Sequence, residues 1–416
     1  MIADPLALIR AAHFAVTLLA SGTVFFAALV IGPTRLPQHF PILRMHMNML
    51  VWAGLVLSIL TGAMWGAWLA ANILGESLAE VYLHGGAWSV FADTRFGWIC
   101  SVRLVLAVLL GLLVLDPAQR IGSIIVAAAF LALPAFASHA GATPGPRGDV
   151  HVVSDAVHLL SAGGWLGGLP AFVLVLWTAL RRRKPGWYDF TIIVTRRFSW
   201  IAATSVGALL ATGILNSWNL LDGPRDLWTT DYGRLIGFKI ALLAAMVGFA
   251  TVNKFRLTPR LPARAALRNL QRNSLAEIGL GLCVLVLVGY LGRLDPTVHV
   301  HPATTVPADA VFTHIHAPEA MADVTIIPGR AGNSTITIRV SREDFTTFAA
   351  KDVRVVLDPP AAPGDSLDRY AKRQPDGTWT INDLTLVPPG IWTIRVIVIA
   401  QSGEAIVLDA PIVIER

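Results

Sequence analysis

The sequence contains little charge and almost no cysteine. Charged residues make up 14% of its 416 residues, against about 25% in ordinary soluble domains. The two cysteines, Cys100 and Cys283, lie in different apolar segments, which argues against a disulfide scaffold and against a thiolate relay for metals. The sequence also lacks a phosphate-binding loop and the common hydrolase motifs. It therefore predicts neither ATP-driven pumping by this chain alone nor any catalytic residue, and it favours a non-enzymatic role.

Apolar residues are abundant instead. The chain is 54% hydrophobic and its mean hydropathy is +0.60, values typical of a polytopic protein in a lipid bilayer. A membrane-spanning helix needs about 20 mostly apolar residues. Eight segments meet this requirement, at residues 6–31, 50–73, 98–115, 121–138, 152–180, 198–221, 235–252 and 275–291.

The charges are divided unevenly along the chain. Residues 1–293 carry 23 Lys or Arg and 12 Asp or Glu, whereas residues 294–416 carry 10 and 15. The odd-numbered loops between the spans contain most of the loop Lys and Arg residues. Because positive loops stay in the cytoplasm, we expect the N-terminus and the C-terminal domain to be extracytoplasmic. The basic excess thus indicates topology, and nucleic acid is not an expected partner.

The C-terminal part has a β pattern. Seven short strands are predicted, at residues 325–327, 335–340, 353–357, 378–386, 391–399, 405–408 and 412–414. Glycine-containing turns separate them, as in an Ig-like sandwich. The predicted fold is an all-α membrane bundle of eight helices followed by a small all-β Ig-like sandwich at 319–416, with 294–318 as a linker.

The membrane part contains an internal repeat of four spans, with halves at 1–145 and 146–293. Short motifs recur in the same order in both halves, and only the loop lengths differ. The matched pairs are Arg10-Ala-Ala-His13 with Asp155-Ala-Val-His158, Thr61-Gly62 with Thr212-Gly213, Arg103 with Lys239, and Gln119-Arg120 with Gln271-Arg272. Halves with an even number of spans enter the membrane in the same direction, which predicts a pseudo-two-fold axis along the membrane normal.

The repeat pairs four ionisable residues inside the bilayer. His13 and His158 lie in the first span of each half, and Arg103 and Lys239 lie in the third. Ionisable groups are costly in a membrane and are functional candidates by default. The alternative is that the imidazoles tie helices together and the cations extend toward the surface.

Other candidate metal ligands lie outside this set. His139, His151 and Asp155 cluster near His158 at the outer mouth of spans four and five, where Asp155 can orient a histidine ligand. Met45, His46 and Met47 open span two on the cytoplasmic side, although methionines there also serve as packing. The last candidates are two His-x-His pairs, His299/His301 and His314/His316, whose side chains would share one face of a strand.

The second half resembles the CopD family of copper-resistance membrane proteins. The residues that carry the resemblance are His158, Trp165-Leu166-Gly167-Gly168, Arg197-Phe198-Ser199, Thr212-Gly213, Asn216, Thr230-x-Tyr232-Gly233, Lys239 and Asn253. The first half matches more loosely, and the tail is similar to the extracytoplasmic domain often fused to such proteins. The resemblance implies a multi-pass protein of the bacterial cytoplasmic membrane in copper homeostasis. It also implies copper import from the periplasm, with a periplasmic copper carrier as partner.

Two hypotheses follow for the intramembrane residues. In the first, copper enters past His139 and His151, reaches His13 and His158, and leaves past Met45, His46 and Met47. In the second, His13 and His158 are axial ligands of haem b in an oxidoreductase or sensor, because the halves also resemble four-span haem-binding membrane proteins. Arg103 and Lys239 would repel a bare cuprous ion and attract haem propionates.

Overall fold

The computed structural model describes residues 4–32, 40–74, 77–83, 88, 95–137, 145–182, 185–221, 223–261, 263–294, 307, 309–316, 320–342, 347–360 and 366–415. The chain divides into two compact units, Met1–Val300 and His301–Arg416. The first is helical and the second is built of β-strands.

The helical unit confirms the eight predicted spans. Eight helices are long and apolar enough to cross a membrane, at Pro5–Ile31, Pro41–Asn72, Phe96–Leu113, Pro117–Phe136, Asp149–Arg181, Gly186–Trp218, Asp231–Arg260 and Arg264–Leu291. The α-helices of this unit are α1 (Pro5–Phe25), α2 (Phe40–Leu74), α3 (Leu78–Leu83), α4 (Arg95–Leu113), α5 (Arg120–Ala132), α6 (Gly145–Ala162), α7 (Leu169–Arg182), α8 (Pro185–Leu220), α9 (Asp226–Thr229), α10 (Asp231–Val252) and α11 (Arg264–Leu291). The fifth span consists of α6 and α7 joined by a π-helical turn, Gly163–Gly167.

Several helices begin earlier than their apolar cores predict. Residues such as Arg44 and Arg196, which the hydropathy pattern leaves in loops, are helical because α2 and α8 continue beyond the apolar segment. Long cationic side chains can end such helices at the membrane surface. Arg44 does so by donating from Nη2 to the carbonyl oxygen of Leu115 at 2.8 Å, beyond the end of α4.

The packing of the spans follows the repeat. Within the halves, α1 packs against α2, and α6 packs against α8. Between the halves, α1 packs against α11, and α6 packs against α5. These contacts exchange equivalent spans of the two halves, which is the arrangement that a pseudo-two-fold axis produces.

The halves come into backbone contact at two glycines. A Cβ atom added to Gly22 on α1 would collide with the backbone of Gly167 in the π-helical turn, and one added to Gly167 would meet the carbonyl oxygen of Leu18. Small residues allow membrane helices to approach to backbone contact. The outward faces are apolar, with Trp98, Ile121 and Phe238 more than 60% exposed, as expected for surfaces that face lipid.

The Thr-x-Tyr-Gly motif of the second half has a structural function. Thr230 is the N-cap of α10, and its Oγ1 accepts a hydrogen bond from the backbone N–H of Gly233 at 3.0 Å. A Cβ atom on Gly233 would collide with the carbonyl group of Asp226. The motif therefore fixes the tight turn between α9 and α10, which positions Lys239 two turns further on.

The second unit consists of two antiparallel sheets that share one apolar core. Its strands are β1 (Val311–His316), β2 (Met321–Ile327), β3 (Gly332–Ser341), β4 (Ala350–Asp358), β5 (Leu367–Tyr370), β6 (Lys372–Arg373), β7 (Trp379–Leu386), β8 (Gly390–Ala400) and β9 (Ala405–Ile414). One sheet has the order β1-β2-β3-β7-β6 and the other β5-β4-β8-β9. Alternate residues of both sheets are buried, and Trp392 is 1% exposed in the centre. A β domain with two antiparallel sheets was predicted, and the structure agrees.

The strand count differs from the prediction in two respects. The two segments predicted at 405–408 and 412–414 form the single strand β9, which pairs with β8 along its whole length despite Pro411. A proline is tolerated there because β9 is an edge strand and needs hydrogen bonds on one side only. The strands β1, β5 and β6 were not predicted, since each is short or contains charged residues.

Candidate functional site

His13 in α1 lies in a closed polar cluster within the first half. Its side chain is 3% exposed, and its Nδ1 lies 3.0 Å from Oγ1 of Thr61 on α2. Its Nε2 lies 2.5 Å from Nη1 of Arg103 on α4. Both ring nitrogens of His13 are therefore engaged by neighbouring side chains.

The guanidinium of Arg103 is held on several sides. Its Nη2 donates to Oγ1 of Thr17 at 3.0 Å, and its Nε donates to the carbonyl oxygen of Phe130 at 3.3 Å. The same group lies 4.7 Å from the centre of the Phe130 ring. Since Arg103 is only 6% exposed, it is a buried cation fixed between α1 and the end of α5.

His158 in α6 repeats half of this arrangement. Its Nδ1 lies 2.9 Å from Oγ1 of Thr212 on α8, as His13 does from Thr61. Lys239 on α10 is within electrostatic reach of His158 and of Asp155. Among the residues that the structure describes, however, neither Nε2 of His158 nor Nζ of Lys239 has a hydrogen-bond partner.

The threonines determine the tautomers of both histidines. The hydroxyl of Thr212 donates to the carbonyl oxygen of Ala208 at 2.7 Å, and that of Thr61 donates to Leu57 at 2.7 Å. Each hydroxyl oxygen is therefore left as an acceptor for the Nδ1–H of its histidine. In consequence Nε2 carries the lone pair in both rings. In His13 this lone pair accepts from Arg103, whereas in His158 it remains available.

The two halves also differ in the charges around the histidine. The position three residues before it is Arg10 in the first half and Asp155 in the second. The position four residues after the threonine is Trp65 in the first half and Asn216 in the second. The first cluster thus combines two arginines with an indole, while the second combines a carboxylate with an amide.

In the first half these residues fill the space beside the histidine. The guanidinium of Arg10 lies 5.1 Å from the Trp65 ring centre and donates to the carbonyl oxygen of Gly292 at 2.6 Å. The Trp65 ring meets the His13 ring edge-on, at 5.6 Å between centroids. A metal ion beside His13 would meet the guanidinium of Arg103 and, across the Trp65 ring, that of Arg10.

In the second half the residues at the same positions, Asp155 and Asn216, belong to a chain of side-chain hydrogen bonds. Asn216 donates from Nδ2 to Oδ1 of Asp155 at 2.6 Å, and Ser154 donates from Oγ to Oδ1 of Asn216 at 2.7 Å. His151, Asp155 and His158 follow at i, i+4 and i+7 along α6, and therefore share one helix face. His151 is 5% exposed. The second half thus places one carboxylate and two imidazoles along the same face of α6.

The remaining predicted ligands lie apart from this face. His139 is outside the described residues. In α2, Met47 is 2% exposed and packs in the core of the second half, whereas Met45 is 54% exposed and points away from it. His46 is half-buried between them. The described part of the chain contains no group of three or more His, Cys, Asp or Glu residues able to hold a metal ion.

The second His-x-His pair lies in β1 of the β domain. Nδ1 of His314 is hydrogen-bonded to Oδ1 of Asp323 on β2, opposite it in register. His314 is thereby oriented by a carboxylate, an arrangement common among metal-ligating histidines. The side chain of His316, and both His299 and His301, lie outside the described residues.

One buried polar group of the second half, centred on Glu277, is not predicted by any sequence pattern. Glu277 on α11 is 2% exposed and accepts hydrogen bonds from Nε1 of Trp165 at 3.1 Å and from Nδ2 of Asn253 at 2.7 Å. Neither contact leaves a local pattern in the sequence, because the bonded residues lie far apart along the chain.

Comparison with known proteins gives matches along the membrane unit. The family model described as "Copper resistance protein D" matches residues 192–291, and "Copper resistance protein D-like, N-terminal domain" matches residues 1–149. The chain is 30% identical over 273 residues to "Inner membrane protein YebZ" of Escherichia coli (strain K12), which covers 56% of this chain and 92% of that protein.

Two further relatives carry copper in their names. "Copper resistance protein D" of Pseudomonas syringae pv. tomato is 30% identical over 263 residues, covering 58% of this chain and 81% of that protein. "Copper transport protein CutJ" of Bacillus subtilis (strain 168) is 27% identical over 293 residues, covering 67% of this chain and 48% of that protein.

Proposed function

Because the chain belongs to the copper resistance protein D family, we propose that it acts in copper homeostasis by moving copper ions across the bacterial cytoplasmic membrane. The names of its relatives support this role, since one is an inner membrane protein, one a copper resistance protein and one a copper transport protein. The eight apolar spans place the chain in a lipid bilayer. The proposed direction is import from the periplasm.

The observation that carries the proposal is the Nε2 atom of His158, which no described residue hydrogen-bonds. With Nδ1–H donated to Thr212 at 2.9 Å, the imidazole presents Nε2 as a neutral nitrogen ligand, which suits copper. Its orientation is fixed by a partner on the opposite nitrogen, as is usual for histidines that bind metals. His151 and Asp155 on the same face of α6 would pass copper to it from the outer end of the span.

Charge gives a reason for using one half of the repeat. Arg103 occupies Nε2 of His13 at 2.5 Å, and Arg10 adds a second cation against the neighbouring Trp65 ring. In the second half Asp155 offsets the charge of Lys239, since the two groups are within electrostatic reach of each other. A cuprous ion is therefore repelled from His13 and tolerated at His158. We assign the copper site to the second half and a structural role to His13.

The haem alternative fits these residues less well. Two axial histidines would each need a free Nε2, and in His13 that atom accepts from Arg103. Arg103 in turn is occupied by Thr17 and Phe130, so it is not positioned for a propionate.

The test uses the full-length protein purified in detergent. It is loaded with Cu(I) under anaerobic conditions and desalted, and its copper content and absorption spectrum are measured. We expect bound copper that is lost in His158→Ala and kept in His46→Ala, the matched control. A Soret band that disappears in both His13→Ala and His158→Ala would instead establish haem and contradict the proposal.

Transport is tested in cells. Cells that express the protein should accumulate more copper than cells without it, and His158→Ala should abolish the increase at equal expression. A periplasmic copper carrier is the expected donor, so co-expression of such a carrier should raise accumulation further. Unchanged copper accumulation on deletion of the protein would argue against import.

A further inference from the structure

A cavity of about 230 Å³ lies within the second half. It is at the end of the bundle where span five leads into span six and span seven leads into span eight. Spans five, six, seven and eight enclose it. Most of its wall is apolar, and its buried polar lining consists of Thr195, Asn253, Ser274 and Glu277. His158 is absent from the lining residues, so the cavity is distinct from the proposed copper site.

Glu277 has fixed hydrogen-bond donors on both carboxyl oxygens. Trp165 can only donate from its indole N–H. Asn253 is also committed as a donor toward Glu277, because its Oδ1 accepts from Nδ2 of Asn273 at 2.9 Å. Each carboxyl oxygen accepts one of these bonds and keeps a further lone pair. The described residues place no Lys or Arg within ion-pair distance of Glu277.

Two hydroxyl groups in the same cavity have no partner. Thr195 is 2% exposed and Ser274 is 0% exposed, and neither Oγ atom forms a hydrogen bond to any described residue. Buried polar groups in proteins are nearly always hydrogen-bonded, and an exception requires an explanation. Ser274 lies one turn before Glu277 on α11, so both side chains are on the same helix face.

The one cation on the cavity wall is held elsewhere. Lys254 lines the cavity, but its Nζ lies 4.7 Å from the centre of the Trp200 ring and 5.8 Å from that of Phe255. Its ammonium group is thus engaged with aromatic faces. The charge of an ionised Glu277, which is costly inside a membrane protein, is left for another positive group to balance.

The backbone around the cavity departs from the α-helix at two places. Trp165 belongs to the π-helical turn Gly163–Gly167, and Asn253, Lys254 and Phe255 belong to another, Asn253–Leu257. Single π-helical turns within α-helices occur frequently at functional sites. The presence of two such turns in the wall of one cavity is an observation independent of the side-chain hydrogen bonds.

The donor atoms select the class of ligand. The cavity offers carboxyl, hydroxyl and amide oxygens, and its lining contains no Cys, Met or His. Oxygen donors suit hard cations and not soft Cu(I). A bound proton would neutralise Glu277 but leave both hydroxyl groups without a partner. A bound water molecule would give the hydroxyl groups a partner but leave the charge of Glu277 unbalanced. An alkali cation satisfies the carboxylate and both hydroxyls together.

We propose that this cavity binds a sodium ion through Glu277, Thr195 and Ser274. The binding itself does not depend on the proposed copper function. If copper transport is the function, the site supplies a coupling ion, and its position in the same four spans as His158 lets one set of helices respond to both ions.

The experiment measures binding of radioactive sodium to the purified, copper-free, full-length protein, with choline chloride as the background salt. We expect saturable binding that is abolished in Glu277→Gln and weakened at least about tenfold in Thr195→Val, as for loss of a supporting ligand group. Thr204→Val is the matched control, because this threonine lies on the same span, is exposed, and donates to the carbonyl oxygen of Trp200. It should bind like the wild type.

Thr195→Val also distinguishes a loss of sodium binding from a loss of folding. Replacing an unpaired buried hydroxyl with a methyl group of the same shape should not lower thermal stability in sodium-free buffer. Unchanged sodium affinity in this variant, or absence of saturable sodium binding in the wild type, overturns the proposal. Thermal stability that responds to pH but not to sodium would assign the cavity to a proton. Copper binding by the same variants, measured after loading with Cu(I), tests the role of His158 separately.

Discussion

Arg103 occupies the ring nitrogen of His13 that its repeat partner leaves open. Nη1 of Arg103 lies 2.5 Å from Nε2 of His13, whereas Nε2 of His158 has no partner among the described residues. The histidine and its threonine are thus present in both halves, but in the first half a guanidinium closes the site. The predictions below follow from this difference and from the contacts around it.

The first prediction concerns the role of His13. Replacing it with alanine removes a hydrogen bond to a buried charged group, which typically contributes about 1.5–3 kcal/mol. We expect His13→Ala to lower the thermal unfolding temperature of the detergent-solubilised protein while leaving the bound copper unchanged. His158→Ala should have the opposite profile, with copper lost and stability little affected. Loss of copper from His13→Ala at unchanged stability would show that the first half also binds the ion.

The second prediction concerns the threonine that orients His158. Thr212→Val removes the acceptor for the Nδ1–H, so the ring is free to rotate and to change tautomer. Loss of such an orienting partner weakens metal binding by about 10–100-fold, and we expect an affinity decrease of this size in a Cu(I) competition titration. Thr61→Val is the matched control in the other half, and its copper affinity should equal that of the wild type.

The third prediction concerns the contact between the halves. Gly22→Ala places a methyl group against the backbone of Gly167, and overpacking of this kind costs about 1–3 kcal/mol. The variant should unfold at lower temperature than the wild type. Gly248→Ala, at a helical position with nothing within 4 Å of the added carbon, should be neutral or slightly stabilising. Equal unfolding temperatures for the two variants would mean that the glycine contact does not limit packing.

The fourth prediction concerns the β domain. Hydrogen bonds from the Arg354 guanidinium hold the pKa of Asp368 below its ordinary value. A lowered pKa in the folded state adds stability above the ordinary pKa of about 3.9, and this contribution is lost as the pH falls through the lowered pKa. Both groups are exposed, so the effect is small.

The measurement for this pair is amide hydrogen exchange of β4 and β5 in the intact protein. At pH 6 we expect faster exchange in Asp368→Asn than in the wild type. As the pH falls through the lowered pKa of Asp368, the exchange rates of the two proteins should become equal, because the carboxylate of the wild type is then protonated. A difference that persists at low pH would mean that the substitution acts through packing and not through the ion pair.

Much of the architecture could be predicted from local sequence properties. The eight spans follow from apolar length, and the repeat follows from the order of short motifs, so the alignment of Thr61 with Thr212 was available without coordinates. The two-sheet domain follows from alternation, although β1, β5 and β6 are too short or too polar to show it. Candidate metal ligands could also be identified from the sequence, because imidazoles are rare inside apolar segments.

The geometry that distinguishes the halves could not be predicted from the sequence. Arg103 and Lys239 align in the sequence, and only the packing shows that the longer, planar guanidinium reaches three acceptors while the ammonium does not. The environment of Glu277 depends on Trp165 and Asn253, which belong to different spans. Contacts between distant segments leave no periodic signal, so they require the folded chain.

The contact between Gly22 and Gly167 has a consequence for movement. Two backbones in direct contact cannot slide past each other without a collision. Sliding of one half along the other at this level is therefore disfavoured. We expect movement beside His158 to occur instead in α8 and α10, around α1 and the Gly163–Gly167 turn.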